Sequence, residues 1–335
     1  MLTLPQVRRY SVQSRLRDMM IAEREVVLTF LLQVLSEHGI LHQLAFKGGT
    51  CLRKMFHGSQ GRFSTDLDFT ALGEHDHQDV ILAIMGAFED EFHGIRFAIP
   101  YNSYYETAAG MSWGVNPTYS HEWNAAGNSE IKLQISRRET PTLPPERKPQ
   151  CEQSYFTLLP FAPAEITCLR LPEILAEKTR ACYQRTKARD IYDLGVYATR
   201  PLDQALIGRL VVLKLWQAGD TFDPARLMRK FAEGMEFDWD DLRDLVRRTE
   251  TIDRERVCAE CSRGFRFLTD LTPEERTLAS DPHHRELALP IVCATVCKKM
   301  PRRLMRVIAS TFRRVVGGQD FTHSAGLQFR FESQR

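Results

Sequence analysis

One segment, residues 46–70, restricts the fold of this chain more than any other part of it. It reads FKGGTCLRKMFHGSQGRFSTDLDFT. A short apolar strand, predicted over 44–46, runs into a Gly-Gly-Thr turn and then into a helix predicted over 51–56, so backbone N–H groups of the turn face outward. A second predicted strand, 65–72, alternates apolar and polar residues. Strand, turn, helix and strand in this order indicate a domain that combines helices with a sheet.

Helical periodicity dominates most of the remaining chain. Apolar residues at helical spacing predict an amphipathic helix over 12–38 that stops at Gly39. After the segment we predict a helix over 78–92, an alternating strand over 130–136 and a proline-rich linker over 139–150. Further helices are predicted over 172–183, 189–198, 202–216, 239–248, 254–268 and 301–316.

The composition is that of a globular protein with one large or two ordinary domains. The 335 residues are 43% hydrophobic and 26% charged, which excludes a disordered or fibrous chain. No apolar run approaches the roughly 20 residues of a membrane span, and the N-terminus lacks the apolar core of a secretory signal. We therefore expect a cytoplasmic α+β protein, with a sheet-containing domain over 1–155 and a mostly helical domain over 156–335.

The second strand of the segment carries two carboxylates. Asp66 and Asp68 are two residues apart, so both project from the same face of a strand. A single D-x-D pattern is typical of a solvated strand edge, but here the turn Gly48-Gly49-Thr50 precedes it and offers N–H groups and a hydroxyl for a triphosphate. Mg²⁺, with Mn²⁺ as an alternative, prefers such hard oxygen ligands and relieves the repulsion of the two charges. The combination predicts a metal–nucleotide site.

The same residues carry a family resemblance. FKGGTCLRK followed by RFSTDLDF resembles the AbiEii/AbiGii toxin family of nucleotidyltransferases, which includes the MenT toxins and is a branch of the DNA-polymerase-beta-like superfamily. The resemblance implies a nucleotidyltransferase domain with a mixed sheet, an NTP substrate, and catalytic Asp66 and Asp68 holding the metal. It also implies a set of nucleotide-binding residues: Lys47, Gly48, Gly49, Thr50 and Ser64.

A second signature lies downstream. Lys178, followed by KARDIYDL at 187–194, resembles the lysine and the R-D-x-x-D-L segment of the family. The resemblance implies that Lys178 contacts the triphosphate, that Arg189 helps to bind the nucleotide, and that Asp193 orients the lysine or the acceptor. On one continuous helix Lys178 and Asp193 would be about 22 Å apart. We therefore predict a break in the helix within 184–188.

Position 134 departs from the family pattern. The superfamily often places a third carboxylate on a later strand, and this sequence has Gln134 there. A glutamine cannot act as a general base for a hydroxyl nucleophile. Either the base comes from elsewhere, with Asp193 the nearest candidate, or activation of the nucleophile depends on the metal alone.

Three other patterns leave alternatives open. An acid-free stretch over 287–319 is either a solvated helix face or an RNA-binding surface formed by Lys298, Lys299, Arg302, Arg303 and Arg306. An aromatic group either stacks on bases or covers the sheet: Tyr104, Tyr105, Trp113, Tyr119 and Trp123. The cysteine pairs at 258/261 and 293/297 have spacings seen in zinc sites, but they fall in apolar helical stretches, so we expect buried thiols.

The resemblance implies a toxin of a toxin–antitoxin or phage-defence system. Its expected reaction transfers a nucleotide from Mg-NTP to an acceptor, in the first place the 3′ end of tRNA, and so blocks translation. An antitoxin is the expected partner, and no membrane association is expected. Two alternatives remain: transfer to a protein side chain, and a non-catalytic module that binds RNA or a partner.

Overall fold

A computed structural model describes residues 3–73, 76–107, 110–124, 129–138, 140–234 and 237–283 of the chain. The predicted RNA-binding residues 298–306, the predicted helix over 301–316, and Cys293 and Cys297 lie outside these residues. Within them, no helix is long and apolar enough to cross a membrane.

Ten α-helices and nine strands make up the regular structure of the described residues. The helices are α1 Leu4–Gln13, α2 Met19–Glu37, α3 Gly48–Cys51, α4 His77–Ala87, α5 Leu171–Gln184, α6 Ala188–Ala198, α7 Gln204–Gln217, α8 Pro224–Glu233, α9 Arg254–Gly264 and α10 Pro273–Ala279. The strands are β1 Leu44–Lys47, β2 Leu67–Ala71, β3 Arg96–Ala98, β4 Tyr105–Glu106, β5 Ser112–Val115, β6 Thr118–Ser120, β7 Leu133–Ser136, β8 Glu146–Lys148 and β9 Ile166–Cys168.

The main sheet has seven strands in the order β4-β5-β7-β2-β1-β9-β8. Strand β2 is antiparallel to β1 and parallel to β7, and β1 is parallel to β9. Strands β3 and β6 form a separate antiparallel pair. The sheet is therefore mixed, and with the surrounding helices it confirms the predicted α+β class.

Strand β9 follows the predicted domain boundary at 155 but lies inside the main sheet, between β1 and β8. Helices α5 to α10 come after it and pack mainly on one another, α5 against α7 and α6 against α9. The main sheet thus contains strands from both predicted parts. The division into domains over 1–155 and 156–335 stays a prediction.

The predicted helix over 12–38 is wrong as a single element. Helix α1 ends at Gln13, Arg15 adopts a left-handed conformation with φ of 54°, and the Asp18 carboxylate accepts a hydrogen bond from the Met20 N–H at the start of α2. A positive φ ends a right-handed helix. Helix α2 is then buried around its whole circumference, so it is a core helix rather than an amphipathic one.

Other boundaries also differ from the sequence-based prediction. The predicted helix over 239–248 is a 3₁₀ segment, Trp239–Leu245, and the one over 254–268 ends at Gly264. Strand β8 lies within the predicted linker. Gly39, at the end of α2, adopts the expected left-handed conformation with φ of 73°. Cys258 and Cys261 are buried in α9, as expected.

Candidate active site

The turn after β1 brings its backbone close to the acidic pair. Lys47 at the end of β1 is the register partner of Asp68 on β2, so Gly48 begins beside that carboxylate. Gly48 has φ of 78°, and a Cβ at this position would collide with the Asp68 carboxylate. Only glycine combines this conformation with this contact. The turn therefore requires a residue without a side chain.

The next two residues of the turn fix the loop that leads into β2. A Cβ at Gly49 would collide with the Arg62 guanidinium and would lie 3.1 Å from the Ser64 hydroxyl. The buried Thr50 hydroxyl donates a hydrogen bond to the Asp66 carbonyl oxygen. Thr50 therefore fixes the backbone at Asp66 without lining the cleft, whereas Gly49 and Ser64 line it.

The two carboxylates face one cleft of about 250 Å³. Burial raises the pKa of Asp68, and the Asp66 charge raises it further. The Arg189 guanidinium lies 4.0 Å from the Asp66 carboxylate. Because two like charges share a partly buried site, these oxygen donors would suit a hard divalent cation, which would offset their repulsion.

Strand β7, which is parallel to β2 and next to it, supplies no third carboxylate. Gln134 on β7 is the register partner of Asp68 and lines the cleft. In the part of the chain that the structure describes, no group of three or more His, Cys, Asp or Glu side chains is placed to hold a metal ion. The site therefore offers two carboxylates, and the remaining ligands of a cation would be water or phosphate oxygens.

The predicted break between Lys178 and Asp193 is confirmed. Helix α5 ends at Gln184 and α6 begins at Ala188, and the two helices pack on each other. As a result, the Lys178 ammonium lies 2.8 Å from the Asp190 carboxylate and 2.8 Å from that of Asp193. Burial alone would lower the pKa of Lys178, but the two carboxylates outweigh it and raise the pKa above its ordinary value.

Arg62 completes this cluster and was not singled out from the sequence. Its guanidinium donates two hydrogen bonds of 2.8 Å to the two oxygens of Asp193. Both side chains are almost fully buried, at 3% and 4% exposure. Although burial opposes ionisation of Asp193, Arg62 and Lys178 lower its pKa below the usual range. Asp193 thus stays charged and links the loop before β2 to helix α6.

Further cations around the cleft are also paired with carboxylates. Arg185 lies 2.7 Å from Asp190, and Arg189 lies 3.5 Å from Asp241. Lys47 lies 3.4 Å from a carboxylate oxygen of α5, that of Glu177. The sequence did not predict the roles of Arg185 and Asp241 in these pairs, because the pairs depend on how α6 packs against α5 and against the 3₁₀ segment.

Most of the residues predicted for the site line the same cleft: Lys47, Gly48, Gly49, Ser64, Asp66, Asp68, Lys178 and Arg189. Thr50 and Asp193 lie directly behind its wall, each bonded to a residue that lines it. The predicted roles of these residues in binding and catalysis stay predictions.

The aromatic residues differ in burial, and none of them is among the residues that line the cleft. Trp113 and Tyr119 are buried and cover the sheets, whereas Tyr104 is exposed. Burial raises the pKa of Tyr105 to about 12, with further contributions from Asp68 and Asp66. Tyr105 lies on β4, an edge strand of the main sheet that is separated from β2 by β5 and β7.

A mixed sheet with a glycine turn and two adjacent carboxylates that face a basic cleft defines the class of nucleotidyltransferases. The family model described as "Nucleotidyl transferase AbiEii toxin, Type IV TA system" matches residues 29–270. The chain belongs to this family of nucleotidyltransferase toxins, which confirms the resemblance seen in the sequence. Family membership implies an NTP substrate, a divalent metal and an antitoxin partner.

One solved structure agrees with this assignment. MenT4, a nucleotidyltransferase toxin from Mycobacterium tuberculosis H37Rv, is similar with a TM-score of 0.72 and 25% sequence identity, over 89% of this chain and 100% of that chain. A structure from H. pylori, described as a "putative nucleotidyltransferase", has a TM-score of 0.48 and 17% identity, over 74% of this chain and 95% of that one. No curated protein matches the chain.

Proposed function

We propose that this toxin transfers a nucleotide from Mg-NTP to the 3′ end of a tRNA and thereby blocks translation. The observation that carries the proposal is the placement of Asp66 and Asp68 against the Gly48-Gly49 turn, with Lys178 in the same cleft. The site unites groups suited to a metal with groups suited to phosphates. The toxin would act in the cytoplasm, in defence against phage, under the control of an antitoxin.

The residues of the chain would divide the work of an in-line displacement. Asp66 and Asp68 would hold Mg²⁺, or Mn²⁺ in its place, and the bound ion would stabilise negative charge that develops on the phosphates. The turn and Ser64 would orient the triphosphate, and Lys178 and Arg189 would balance its charge. The acceptor oxygen forms a bond to the α-phosphorus, the bond to the bridging oxygen breaks, pyrophosphate leaves and the hydroxyl proton passes to water.

The buried cluster would keep the triphosphate lysine in place rather than exchange protons. Asp193 is charged, buried and bonded to both Arg62 and Lys178, so it is a poor base for a hydroxyl in the cleft. The neighbouring amide of Gln134 has no basic site, but it can donate a hydrogen bond to the acceptor oxygen. Deprotonation by a dedicated side chain is therefore not part of the proposed reaction.

The test is transfer of label from each radioactive NTP in turn to total tRNA, in Mg²⁺, by the purified full chain. Asp68→Asn should abolish transfer, because it removes one negative charge from the pair. The control, Asp90→Asn, changes an exposed residue after α4 and should transfer label like the unchanged protein.

The acceptor that takes the label decides between the alternatives. Label on tRNA that depends on Asp68 supports the proposal and identifies the nucleotide. Label on protein and none on RNA would replace tRNA by a protein target. No label on any macromolecule, from a protein that is folded, would favour a module that binds without catalysis.

A further inference from the structure

Strand β7, which pairs with β2 on the side opposite to β1, and the residues that flank it place a row of polar side chains along the cleft. Lys132, Gln134, Ser136 and Arg138 follow one another at a spacing of two, and all four line the cleft. Ile131, Leu133 and Ile135, which alternate with the first three of them, are buried in the core, whereas Arg137 is exposed. Alternation along β7 directs Gln134 and Ser136 toward the site, and Lys132 and Arg138, which flank the strand, line the same cleft; we call these four residues the β7 row.

A tyrosine extends the row across the sheet. Tyr105 on β4 is in register with Gly114 on β5, which is in register with Gln134, and Gln134 with Asp68. A Cβ at Gly114 would lie 2.6 Å from the Tyr105 hydroxyl, so the ring passes over the space that the glycine leaves open. The Lys132 ammonium lies 5.9 Å from the centre of this ring. A cation and an aromatic face thus lie together on this side of Asp68.

The two flanks of the cleft differ in charge. Toward β1, the cations Lys178, Arg185 and Arg189 each lie within 4.0 Å of a carboxylate. On the β7 side, Lys132 and Arg138 are exposed and form no ion pair with any residue that the structure describes. Neither β5 nor β7 contributes a carboxylate to the cleft lining. Positive charge is therefore available for an external anion on this flank.

The chemistry of the reaction decides which anion meets this flank. In an in-line displacement the attacking oxygen and the leaving pyrophosphate lie on opposite sides of the α-phosphorus. The proposed triphosphate site lies on the β1 side of Asp66 and Asp68, so the acceptor must approach from the β7 side. An acceptor that carries phosphates there would be attracted by Lys132 and Arg138.

We propose that the β7 row is the acceptor track, and that it binds the backbone phosphates of a single-stranded RNA end through Lys132 and Arg138. This inference rests on the proposed nucleotidyl transfer and names the acceptor side of that same site. The six steps along the chain from Lys132 to Arg138 span at most about 20 Å, which accommodates several nucleotides. The Tyr105 face beside Lys132 adds a surface on which a base can stack. A protein acceptor would have no regular row of phosphates to match.

Steady-state kinetics of the double variant Lys132→Gln/Arg138→Gln tests the track. We expect KM for tRNA to rise several-fold and KM for NTP to stay within about twofold, because the variant removes phosphate contacts on the acceptor side only. The charge-matched control is Arg96→Gln/Arg137→Gln, two exposed arginines that do not line the cleft. It should leave both KM values unchanged.

Equilibrium binding of tRNA in increasing salt gives a readout that needs no turnover. Two lost contacts to a single strand should reduce the slope of log K against log salt by about 1.4. Between 50 and 200 mM salt, the unchanged protein should then lose about sevenfold more affinity than the double variant. The control double variant should keep the original slope.

The outcomes separate this inference from the proposed function. If the unchanged protein labels tRNA but the double variant keeps both its KM for tRNA and its salt slope, the track is refuted and the transfer reaction stands. A rise in KM for NTP instead would assign the β7 row to the nucleotide and also refute the track. If no tRNA is labelled, the proposed function fails, and an unchanged salt slope then refutes the track as well.

Discussion

Replacing Asp193 by asparagine tests whether the buried cluster supports the fold as well as the site. The carboxylate accepts two hydrogen bonds from Arg62 and lies 2.8 Å from Lys178, so the variant removes the charge that is paired directly with Arg62. Removing one partner of a buried ion pair costs about 3–5 kcal/mol, because the other charge stays buried without compensation. Lys178 keeps its contact with Asp190, which favours the lower end of this range.

This free energy converts into a measurable change in melting temperature. The entropy of unfolding near 60 °C is about 2.1 cal/mol/K per residue, or about 0.7 kcal/mol/K for the 335 residues if they unfold together. Asp193→Asn should therefore lower Tm by about 4–7 °C in differential scanning calorimetry. Asp90→Asn, an exposed aspartate changed in the same way, should shift Tm by less than about 1 °C.

A double-mutant cycle shows whether the loss comes from the Arg62–Asp193 pair. Arg62→Met combined with Asp193→Asn removes both charges, so the double variant should be more stable than the sum of the single effects predicts, by about 0.5–3 kcal/mol. If Asp193→Asn melts at the same temperature as the Asp90→Asn control, or if the two single effects add, the carboxylate does not stabilise the fold through its pair with Arg62.

Three further predictions concern the turn, the metal and pH. Gly48→Ala should raise KM for NTP and lower Tm, because alanine is strained at φ of 78° and its Cβ meets Asp68. The control, Gly86→Ala, is at a helical position with open space around it and should leave KM unchanged and raise Tm slightly. Dialysis against EDTA should abolish label transfer and added Mg²⁺ should restore it, and transfer that persists without divalent ions would contradict the metal role of Asp66 and Asp68. The pKa of Asp193 is lower in the folded than in the unfolded protein, so its stabilising effect is complete above the unfolded pKa and is lost on acidification. Tm should therefore decrease below about pH 4, and it should decrease less steeply in Asp193→Asn. Parallel curves of Tm against pH for the two proteins would contradict this.

The sequence predicted the parts of the site that lie close together along the chain. The turn at Gly48 and the pair Asp66 and Asp68 fall within one segment whose local pattern already specifies strand, turn and strand. The break between α5 and α6 followed from helix geometry once Lys178 and Asp193 were assigned to one site. Each of these inferences needed only local periodicity or a known rise per residue.

The features that the sequence did not predict depend on contacts between residues distant in sequence or on short secondary-structure elements. Arg62 is paired with a residue 131 positions away, and nothing near it in the sequence indicates that partner. Strands of two to four residues, such as β4 and β9, are too short to show a period of two. The break before α2 depends on a positive φ at Arg15, a residue type that does not favour it. Helix α8 was missed although it has a recognisable start, an Asp223 cap followed by proline, and a glycine stop.

Variants of the Arg62–Asp193–Lys178 cluster should reduce stability, whereas variants of Lys132 and Arg138 should affect acceptor binding. The difference arises because the cleft has a buried flank and an exposed flank. The Arg62–Asp193–Lys178 cluster is inside the protein and joins the loop before β2 to α5 and α6, so its loss must reduce stability and nucleotide binding together. The cations of the β7 row are at the surface and form no ion pair with a described residue, so their loss should change stability little and affect mainly what enters from solution. A variant of Lys132 or Arg138 that lowered Tm as much as Asp193→Asn would therefore contradict the assignment of the exposed flank to an external anion.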